Sequence, residues 1–323
     1  MNYAIGIDIG GTNTVLGLVD NNGSILDKET FSTKNKNQEE FFSAAFNNVS
    51  ELIRRNPRNK PDGIGIGAPN ANHYSGIIHN PPNLDIGCAH IPTIASQYTD
   101  LKIFLTNDAN AAALGEKMFG KAQNMDNFVL ITLGTGLGSG MFVNGKLLIG
   151  HKGYAGEMGH IIIDYNGREC NCGKKGCLEM YVSAKGITET VKEFQKELPD
   201  DPLINNLIDN SLKDMQLGLS HIDGRLIDKA FDNKNQTACN IYNFTSQKLG
   251  QGLAQVATML EPEAFIFYGG FANAGNRILE KAKENMNDNL MDFQKGKIEV
   301  MLSELPEGGA GILGAASLVF NTL

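Results

Sequence analysis

The spacing of apolar residues in the first third of the chain predicts an alternation of strands and helices. Short runs rich in Ile, Val, Leu and Phe are bounded by Gly, Asn and Asp, which is the pattern of buried strands. Between residues 38 and 56 the apolar positions recur at helical spacing, as they do on one face of an amphipathic helix. The predicted elements are strands at 3–9, 15–20, 24–31, 63–69 and 102–108 and helices at 38–56 and 109–119.

The same order of elements begins again near residue 127. A strand, a glycine-rich turn and a second strand are predicted over 127–148, and this weak internal repeat indicates two similar α/β units. The segments 150–183 and 186–236 are extra to the repeat and are interpreted as insertions, and a hinge is predicted near 107–120. The remaining predicted elements are helices at 240–260, 275–290 and 308–323 and strands at 264–270 and 297–302.

Length, charge and cysteine content limit the classes of protein to which the chain can belong. With 323 residues it exceeds the size at which one hydrophobic core keeps growing, which favours two domains. The formal net charge of −8 repels phosphate backbones and anionic lipid, so neither nucleic acid nor a membrane is an expected partner. The start of the chain lacks a secretion signal, and the five cysteines do not fit a secreted disulfide framework. The expected location is therefore the cytoplasm.

Two glycine-rich turns open the two units. They read "DIGGTNT" from Asp8 and "LGTGLGSG" from Leu133, and successive backbone N–H groups and Thr hydroxyls in such turns can bind phosphate oxygens. Neither has the spacing of a dinucleotide-binding fold or the Lys of a P-loop. Either turn alone is equally well explained as a plain β-hairpin turn, but two at matching places favour phosphate binding. A third glycine cluster at 268–275 could lie against a nucleotide base or ribose.

Two aspartates lie at the ends of predicted strands. Asp8 adjoins the first glycine turn and is a natural partner for Mg²⁺ beside bound phosphates, although it could equally cap the turn. Asp108 ends a strand just before a helix, where a helix N-cap is the common reason for an Asp. A general base for transfer of a phosphoryl group to an alcohol would occupy the same place. Spacing alone favours the cap.

One histidine and three clustered cysteines form a candidate zinc site. Structural zinc prefers a closed tetrahedral set of this composition, and the glycines between the last two cysteines allow a tight turn. Unpaired structural cysteines or a disulfide are the alternatives. Cys88 and Cys239 stand apart and are predicted to be core residues. The predicted zinc ligands are His160, Cys170, Cys172 and Cys177.

Two carboxylates flank this cluster. Glu157 precedes His160 in "GEMGH", and Glu179 follows the last cysteine in "GCLE". If zinc fixes the loop between them, both carboxylates come to one place and can accept hydrogen bonds from the vicinal hydroxyls of a sugar. The alternative is that the pair only solvates a surface loop.

Taken together, these motifs resemble the ROK family of repressors, open-reading-frame proteins and sugar kinases. The resemblance extends over essentially the whole chain, and its most specific part is His160 followed, after nine residues, by "CNCGKKGCLE". It implies an actin-like, ribonuclease-H-like α/β fold with two duplicated domains and a hexose-binding cleft between the domains. The implied domains are a smaller one, 1–117 plus 308–323, and a larger one, 118–307, which carries the zinc loop and a helical insertion.

The resemblance also implies roles for single residues. Asp108 becomes the catalytic base, which reverses the preference for a cap, and zinc keeps a structural role. The residues expected to hold sugar hydroxyls are Asn83, Asn107, Asp108, Glu157, His160 and Glu179. The residues expected to bind ATP, its phosphates or Mg²⁺ are Asp8, Gly10, Gly11, Thr12, Gly134, Thr135, Gly136, Gly269 and Gly270.

Three functions follow from the resemblance and remain in competition. The first is an ATP-dependent kinase for the 6-hydroxyl of glucose, since the context of the cysteine cluster is most similar to bacterial glucokinases; it would act in carbohydrate metabolism and glycolysis, as a homodimer. The second is a kinase for N-acetylmannosamine or N-acetylglucosamine. The third is a sugar-responsive repressor. Two features disfavour it: the first turn begins at Asp8, which leaves little chain for a DNA-binding domain before it, and the net charge is acidic. Asn70 stands where the family commonly has glycine, which affects the loop expected over the sugar.

Overall fold

The computed structural model describes residues 1–82, 84–216, 222–270, 274–306 and 308–321, without the side chains of 212–216. In chain order the strands are β1 (Tyr3–Ile9), β2 (Asn13–Asp20), β3 (Ile25–Ser32), β4 (Gly63–Ala68), β5 (Ala71–Asn72), β6 (Ile77–His79), β7 (Cys88–His90), β8 (Lys102–Asn107), β9 (Phe128–Leu133), β10 (Leu137–Val143), β11 (Lys146–Leu147), β12 (Ala264–Tyr268) and β13 (Glu299–Leu302). The α-helices are α1 (Gln38–Arg55), α2 (Ile91–Ala95), α3 (Asp108–Phe119), α4 (Glu179–Val182), α5 (Ala184–Glu197), α6 (Pro202–Gln216), α7 (Gly224–Asp232), α8 (Gln236–Leu260), α9 (Asn276–Asp288) and α10 (Ala310–Phe320).

The chain divides into two compact units. It passes from one to the other four times, after residues 126, 139, 156 and 302. The first unit comprises Met1–Asp126, Gly140–Gly156 and Ser303–Leu323, and the second comprises Asn127–Ser139 and Glu157–Leu302. The domain boundaries expected from the resemblance, 1–117 plus 308–323 and 118–307, stay a prediction.

The first sheet has the strand order β3-β2-β1-β4-β8. Strand β1 runs antiparallel to β2 and parallel to β4, and β4 runs parallel to β8. The register places Asp8 beside Gly67 and Gly67 beside Thr106. The carboxyl ends of three parallel strands therefore meet at one edge of this sheet, where α/β proteins place their ligands.

Helix α10 lies directly on this sheet because glycine leaves room for it. A Cβ atom at Gly65 would come within 1.8 Å of the carbonyl oxygen of Ala315, a distance that no side chain tolerates. Helix α1 is the amphipathic helix predicted at 38–56, and Asn37 and Glu40 form a capping box at its start. Its buried phenylalanines, Phe41, Phe42 and Phe46, belong to the core that includes β1, β2 and β4.

The second sheet repeats the arrangement of the first. Its strand order is β11-β10-β9-β12-β13, with β9 parallel to β12 and β12 parallel to β13. Both sheets thus join a hairpin with a glycine turn to two further parallel strands. The predicted α/β duplication is confirmed. The predicted insertion at 186–236 contains most of α5 and all of α6 and α7.

Several elements begin or end one to four residues from their predicted bounds, and three differences are more specific. The strand predicted at 102–108 ends at Asn107, and Asp108 is the first residue of α3. The short sheet β5-β6-β7 was not predicted, because strands of two or three residues carry no readable alternation. Its pleat turns Ala89 inward and Cys88 outward, so the prediction of a buried Cys88 is wrong, whereas Cys239 is half-buried. Among the described helices, none combines the length and apolar character that crossing a membrane requires.

Candidate active site

The first glycine turn connects β1 and β2 at the edge where the parallel strands end. The backbone N–H of Gly10 donates to the carbonyl of Asn13 at 3.1 Å, which closes the turn. The N–H of Thr33 donates to the carbonyl of Thr12 at 2.9 Å and ties the turn to the end of β3. Thr12 stays exposed, and Gly10 and Gly11 are half-buried. The turn is therefore rigid at its base and open at its tip.

Asp8 lies beside this turn near the end of β1. Burial, and then the negative charge of Asp108, raise the pKa of Asp8 to about 6. Helix α10 approaches this carboxylate closely, since a Cβ atom at Gly311 would lie 2.0 Å from Oδ2 of Asp8. Sequence reasoning missed Gly311; the only signal was that glycines open the last helix. An acidic group that resists ionisation next to a second carboxylate favours binding of a cation.

Asp108 is the first residue of α3, and the helix cap is its neighbour Asn107. The side-chain oxygen of Asn107 accepts from the backbone N–H of Ala109 at 2.9 Å and of Asn110 at 3.4 Å. The N-cap preferred for Asp108 from spacing alone is therefore wrong by one residue. A cap is decided by which residue leaves the helical conformation, and Asn107 is extended, with φ −62° and ψ 148°.

The carboxylate of Asp108 combines solvent access with desolvation. Its residue is exposed, yet the surrounding protein raises its pKa by burial, while the N–H of Ala109, at 2.8 Å from Oδ1, and Asn107 oppose that rise. The N-terminal end of α3 also favours the negative charge. A carboxylate with an elevated pKa and one open face has the properties of a general base.

The second glycine turn connects β9 and β10 in the second unit. The N–H of Gly134 donates to the carbonyl of Gly136 at 3.0 Å, and the carbonyl of Gly134 accepts from Ala184 at 2.9 Å. Oε2 of Glu179 accepts the N–H of Leu137 at 2.8 Å and lies 2.6 Å from the position of a Cβ atom at Gly136. Glu179 therefore supports the turn that carries Thr135, in addition to the sugar role expected of it.

Gly269 and Gly270 follow β12 and lie near the second turn. Gly269 has a φ of 112°, and a Cβ atom there would lie 2.6 Å from the carbonyl oxygen of Leu133, at the end of β9. Gly270 borders open space. The carboxyl ends of two adjacent parallel strands thus bring two glycine clusters together at one edge of the second sheet.

The four predicted zinc ligands come together in space. Their ligand atoms all lie within 4.8 Å of one another. Nδ1 of His160 is 3.7 Å from Sγ of Cys170, and the Sγ atoms of Cys172 and Cys177 are 3.6 Å apart. Four ligands around one tetrahedral zinc ion, with bonds of roughly 2.0–2.3 Å, are separated by distances of this size. The donor set fits zinc in type, number and spacing.

The protein backbone shapes the loop that carries these ligands. The N–H of Cys170 donates to the carbonyl of Lys174 at 2.8 Å. Ile162 and Cys177 form an isolated antiparallel β-bridge. Gly176 has a φ of 71°, and a Cβ atom there would lie 1.6 Å from the carbonyl oxygen of Asp164. The glycine between the cysteines is therefore required by both its conformation and its packing.

The three thiols differ in their tendency to ionise. Burial raises the pKa of Cys170 and raises that of Cys177 to about 12. Burial also acts on Cys172, but the N–H of Lys174 and the neighbouring thiols outweigh it and hold the pKa of Cys172 below its usual range. A cation at the centre would favour thiolate in all three, because its charge replaces the hydration that burial removes.

Arg168 joins the zinc loop to the helices that follow it, and sequence reasoning missed it. Its Nη1 donates to the carbonyl oxygens of Met180 at 2.7 Å and Gly186 at 2.8 Å. The guanidinium carbon lies 4.6 Å from the centre of the Tyr181 ring. No local pattern distinguishes this arginine from a solvated one, since its partners lie on α4 and α5.

The structure assembles the predicted residues into two groups. In the first unit, Asp8, the turn Gly10–Thr12, Asn107 and Asp108 share one sheet edge. In the second unit, the exposed Glu157 begins the short 3₁₀ turn Met158–His160, which presents His160 to the cysteines. The second unit also carries Glu179 under the glycine turn and the pair Gly269–Gly270. Asn83 lies outside the described residues.

Comparisons with known proteins agree over the full length. The ROK family model matches residues 4–322. The glucokinase of Thermotoga maritima is 34% identical over 98% of this chain and 96% of its own length. A glucokinase of Streptomyces griseus, solved in complex with glucose and AMPPNP, is 31% identical with a TM-score of 0.77 and covers 98% of this chain and 99% of its own. The xylose repressor of Bacillus subtilis is 27% identical over 99% of this chain and 77% of its own length.

Proposed function

This chain belongs to the ROK family, and on that premise we propose that it is an ATP-dependent hexose kinase that phosphorylates the 6-hydroxyl of glucose. The prediction of a hexose kinase is confirmed by the glucokinases of Thermotoga maritima and Streptomyces griseus, which match this chain nearly end to end. The structural similarity to the Streptomyces griseus glucokinase also confirms the predicted actin-like fold class. The observation that carries the proposal is the exposed Asp108 carboxylate, with its raised pKa, at the start of α3.

We assign the role of general base to Asp108. As the 6-hydroxyl oxygen of the sugar forms a bond to the γ-phosphorus of ATP, the bond from that phosphorus to the bridging oxygen breaks and ADP leaves. The hydroxyl proton moves to the carboxylate of Asp108. A raised pKa brings this carboxylate closer to the pH at which it both accepts and later releases a proton efficiently.

We assign binding of the transferred phosphate and its counter-ion to the glycine turns and Asp8. The backbone N–H groups of Gly11 and Thr12 and of Thr135 and Gly136 would donate to phosphate oxygens, because those of Gly10 and Gly134 already close the two turns. Mg²⁺ would be held through Asp8, whose pKa is raised to about 6 by burial and by the negative charge of Asp108. The metal would supply neutralisation of the charge on the phosphates. Gly269 and Gly270 would lie along the adenosine.

We assign recognition of the sugar hydroxyls to Asn107, Glu157, His160 and Glu179, and to Asn83 by resemblance alone. Zinc would be held by His160 and the three cysteines, whose ligand atoms lie within 4.8 Å of one another. Zinc would supply rigidity rather than chemistry: it would fix the segment between Glu157 and Glu179. Because Glu179 already binds the N–H of Leu137, only its second oxygen would serve the sugar.

An acetamido sugar is the second candidate substrate, and Asn70 bears on it. Asn70 stands where the family commonly has glycine, and it adopts the left-handed conformation, with a φ of 55°. Its Nδ2 donates to the carbonyl oxygens of His79 at 3.1 Å and Asn80 at 3.3 Å. Asparagine thus retains the backbone path of a glycine while it fixes the neighbouring loop. This favours a loop of fixed shape, and the glucokinase relatives favour glucose as the substrate.

We propose that the protein acts in the cytoplasm, in carbohydrate metabolism and glycolysis, and that it forms a homodimer. A reducing compartment keeps the three clustered thiols available for zinc. In the second unit the apolar side chains of Met259 and Phe293 are 82% and 63% exposed, and a partner subunit would cover such side chains. Light scattering after gel filtration measures the mass, and a monomeric mass contradicts the dimer.

The test of the proposed function is ADP release by the purified protein with ATP and Mg²⁺. Glucose, mannose, fructose, N-acetylglucosamine and N-acetylmannosamine are supplied separately, and glucose 6-phosphate is identified by its dehydrogenase. We expect the highest kcat/KM with glucose. Preference for an acetamido sugar would keep the mechanism and move the substrate. No sugar-dependent release with any of the five would contradict the kinase.

A further inference from the structure

Glu116 is a buried acidic residue that the proposed mechanism does not use. It lies two turns along α3 from Asp108, and its relative exposure is 0%. Oε1 accepts the N–H of Lys121 at 2.8 Å, and Oε2 accepts the hydroxyl of Ser303 at 2.6 Å. A buried carboxyl group is costly unless hydrogen bonds replace its water. Both oxygens of Glu116 are hydrogen-bonded, so the carboxyl group is held in a fixed place.

Ser303 begins the last segment of the first unit. The chain leaves the second unit after residue 302. The hydrogen bond from Ser303 to Glu116 therefore attaches the re-entering chain to α3. The N–H of Leu305 donates back to the Ser303 hydroxyl at 3.1 Å, which orients that hydroxyl towards Glu116. The two partners are 187 positions apart in the sequence, so this is a purely tertiary contact.

Near two other places where the chain passes between the units, it also contacts α3. Nζ of Lys117 donates to the carbonyl oxygens of Gln123 at 3.2 Å and Met125 at 2.7 Å, just before the chain leaves the first unit at residue 126. Gly140, where the chain re-enters, lies so close to α3 that a Cβ atom would be 2.8 Å from the carbonyl of Ala109. The remaining passage, after residue 156, is preceded by a contact away from α3: Asn72 Nδ2 donates to the carbonyl of Lys152 at 2.6 Å.

We propose that Glu116 is a positioning residue: through its hydrogen bond to Ser303 it anchors α3 to the segment that begins at Ser303, and so sets the place of Asp108. This inference rests on the proposed function, because the position of Asp108 affects the reaction rate only if Asp108 is the general base. Helix α3 is hydrogen-bonded throughout, so a displacement at Glu116 reaches its first residue without being absorbed. Small displacements of a catalytic group cost large factors in rate, about 100-fold for ~1 Å.

The first test removes the hydroxyl and then restores it. We expect Ser303→Ala to lower kcat about tenfold while the KM values for glucose and ATP change less than about twofold. Ser303→Thr, which keeps a hydroxyl, should recover most of kcat. Ser317→Ala is the matched control, because it removes a buried hydroxyl of the same unit that donates only to Leu313 within α10. Equal kcat for Ser303→Ala and the wild type, or an equal loss in Ser317→Ala, would overturn the proposal.

The second test needs no turnover and therefore separates this inference from the proposed function. Hydrogen exchange is measured by mass spectrometry on the wild type and Ser303→Ala without ligands. We expect exchange to speed by about threefold or more both near residue 303 and in the first turns of α3. A change confined to 303–306 would contradict a role for Glu116 in holding α3. A wild type that phosphorylates no sugar would overturn the proposed function, and the exchange result would still decide the role of Glu116.

Discussion

The two glycine turns occupy the same place in two similar sheets, but the carboxylates around them differ. At the first turn the pKa of Asp8 is raised to about 6 by burial and by the charge of Asp108, and Asp108 is exposed to solvent. At the second turn Glu179 is already engaged by the N–H of Leu137. Asp8 and Asp108 are thus available to bind a cation and to accept a proton, whereas Glu179 holds the backbone of the second turn in place. The two similar units therefore differ in the role of their carboxylates: those of the first serve the chemistry, and that of the second supports the turn.

The largest expected effect is the loss of the base at the first turn. We expect Asp108→Asn to lower kcat about 1,000-fold, within the range of general-base catalysis, because the amide cannot accept the hydroxyl proton. Glucose affinity, measured by calorimetry, should change less than about threefold. The matched control is Asp100→Asn, an exposed aspartate of the same unit, which should leave kcat unchanged. A kcat within tenfold of the wild type for Asp108→Asn would remove Asp108 as the base.

The next effect concerns the zinc loop. We expect Cys172→Ser to reduce zinc from about one ion per chain to almost none and to raise the KM for glucose about tenfold or more, because the loop loses its metal. Elemental analysis of the purified protein measures the zinc, and Cys88→Ser, at an exposed cysteine outside the cluster, is the control. Wild-type protein without zinc would leave the cluster as a hydrogen-bonded staple and contradict the assignment.

The role of Glu179 as a support separates it from Glu157. Glu179→Ala removes the acceptor of the Leu137 N–H, so we expect the KM for ATP to rise about five- to tenfold. Glu179→Gln keeps an acceptor oxygen and should raise that KM by less than about threefold. Glu157→Gln should raise only the KM for glucose. If Glu179→Ala leaves the KM for ATP unchanged, the second turn does not depend on this carboxylate.

The smallest effect is on stability and comes from Asp8. Because its folded pKa of about 6 lies above the ordinary 3.8, the stability that it contributes is complete below about pH 4 and is lost as the pH rises through 6. Asp8→Asn should remove this dependence and raise the stability of the metal-free protein at pH 7.5 by about 1–2 kcal/mol, after a discount for its partial exposure. Thermal melts from pH 4.5 to 7.5 measure it, and parallel curves for the wild type and variant would refute the raised pKa.

Local patterns predicted the scaffold well, and long-range contacts escaped prediction. Helix α1 and the buried strands follow from periodicity, and the zinc ligands follow from residue type because three of the four lie within eight positions. The cap at Asn107 was missed by one residue because backbone angles decide it. Gly311 beside Asp8 and Ser303 beside Glu116 could not be predicted, since the partners lie far apart in the sequence, 187 positions in the second case, and only the fold brings them together.

The most direct test of the division between the carboxylates that serve the reaction and the carboxylate that supports the backbone is a single-turnover experiment. It is carried out by rapid quench at saturating glucose and ATP. Asp108→Asn and Glu179→Ala are compared with the wild type. The account predicts that Asp108→Asn loses the phosphoryl-transfer step by about 1,000-fold, whereas Glu179→Ala transfers within about fivefold of the wild-type rate once saturated. Fast transfer in Asp108→Asn, or an equal loss in both variants, would contradict the separation of chemistry from support.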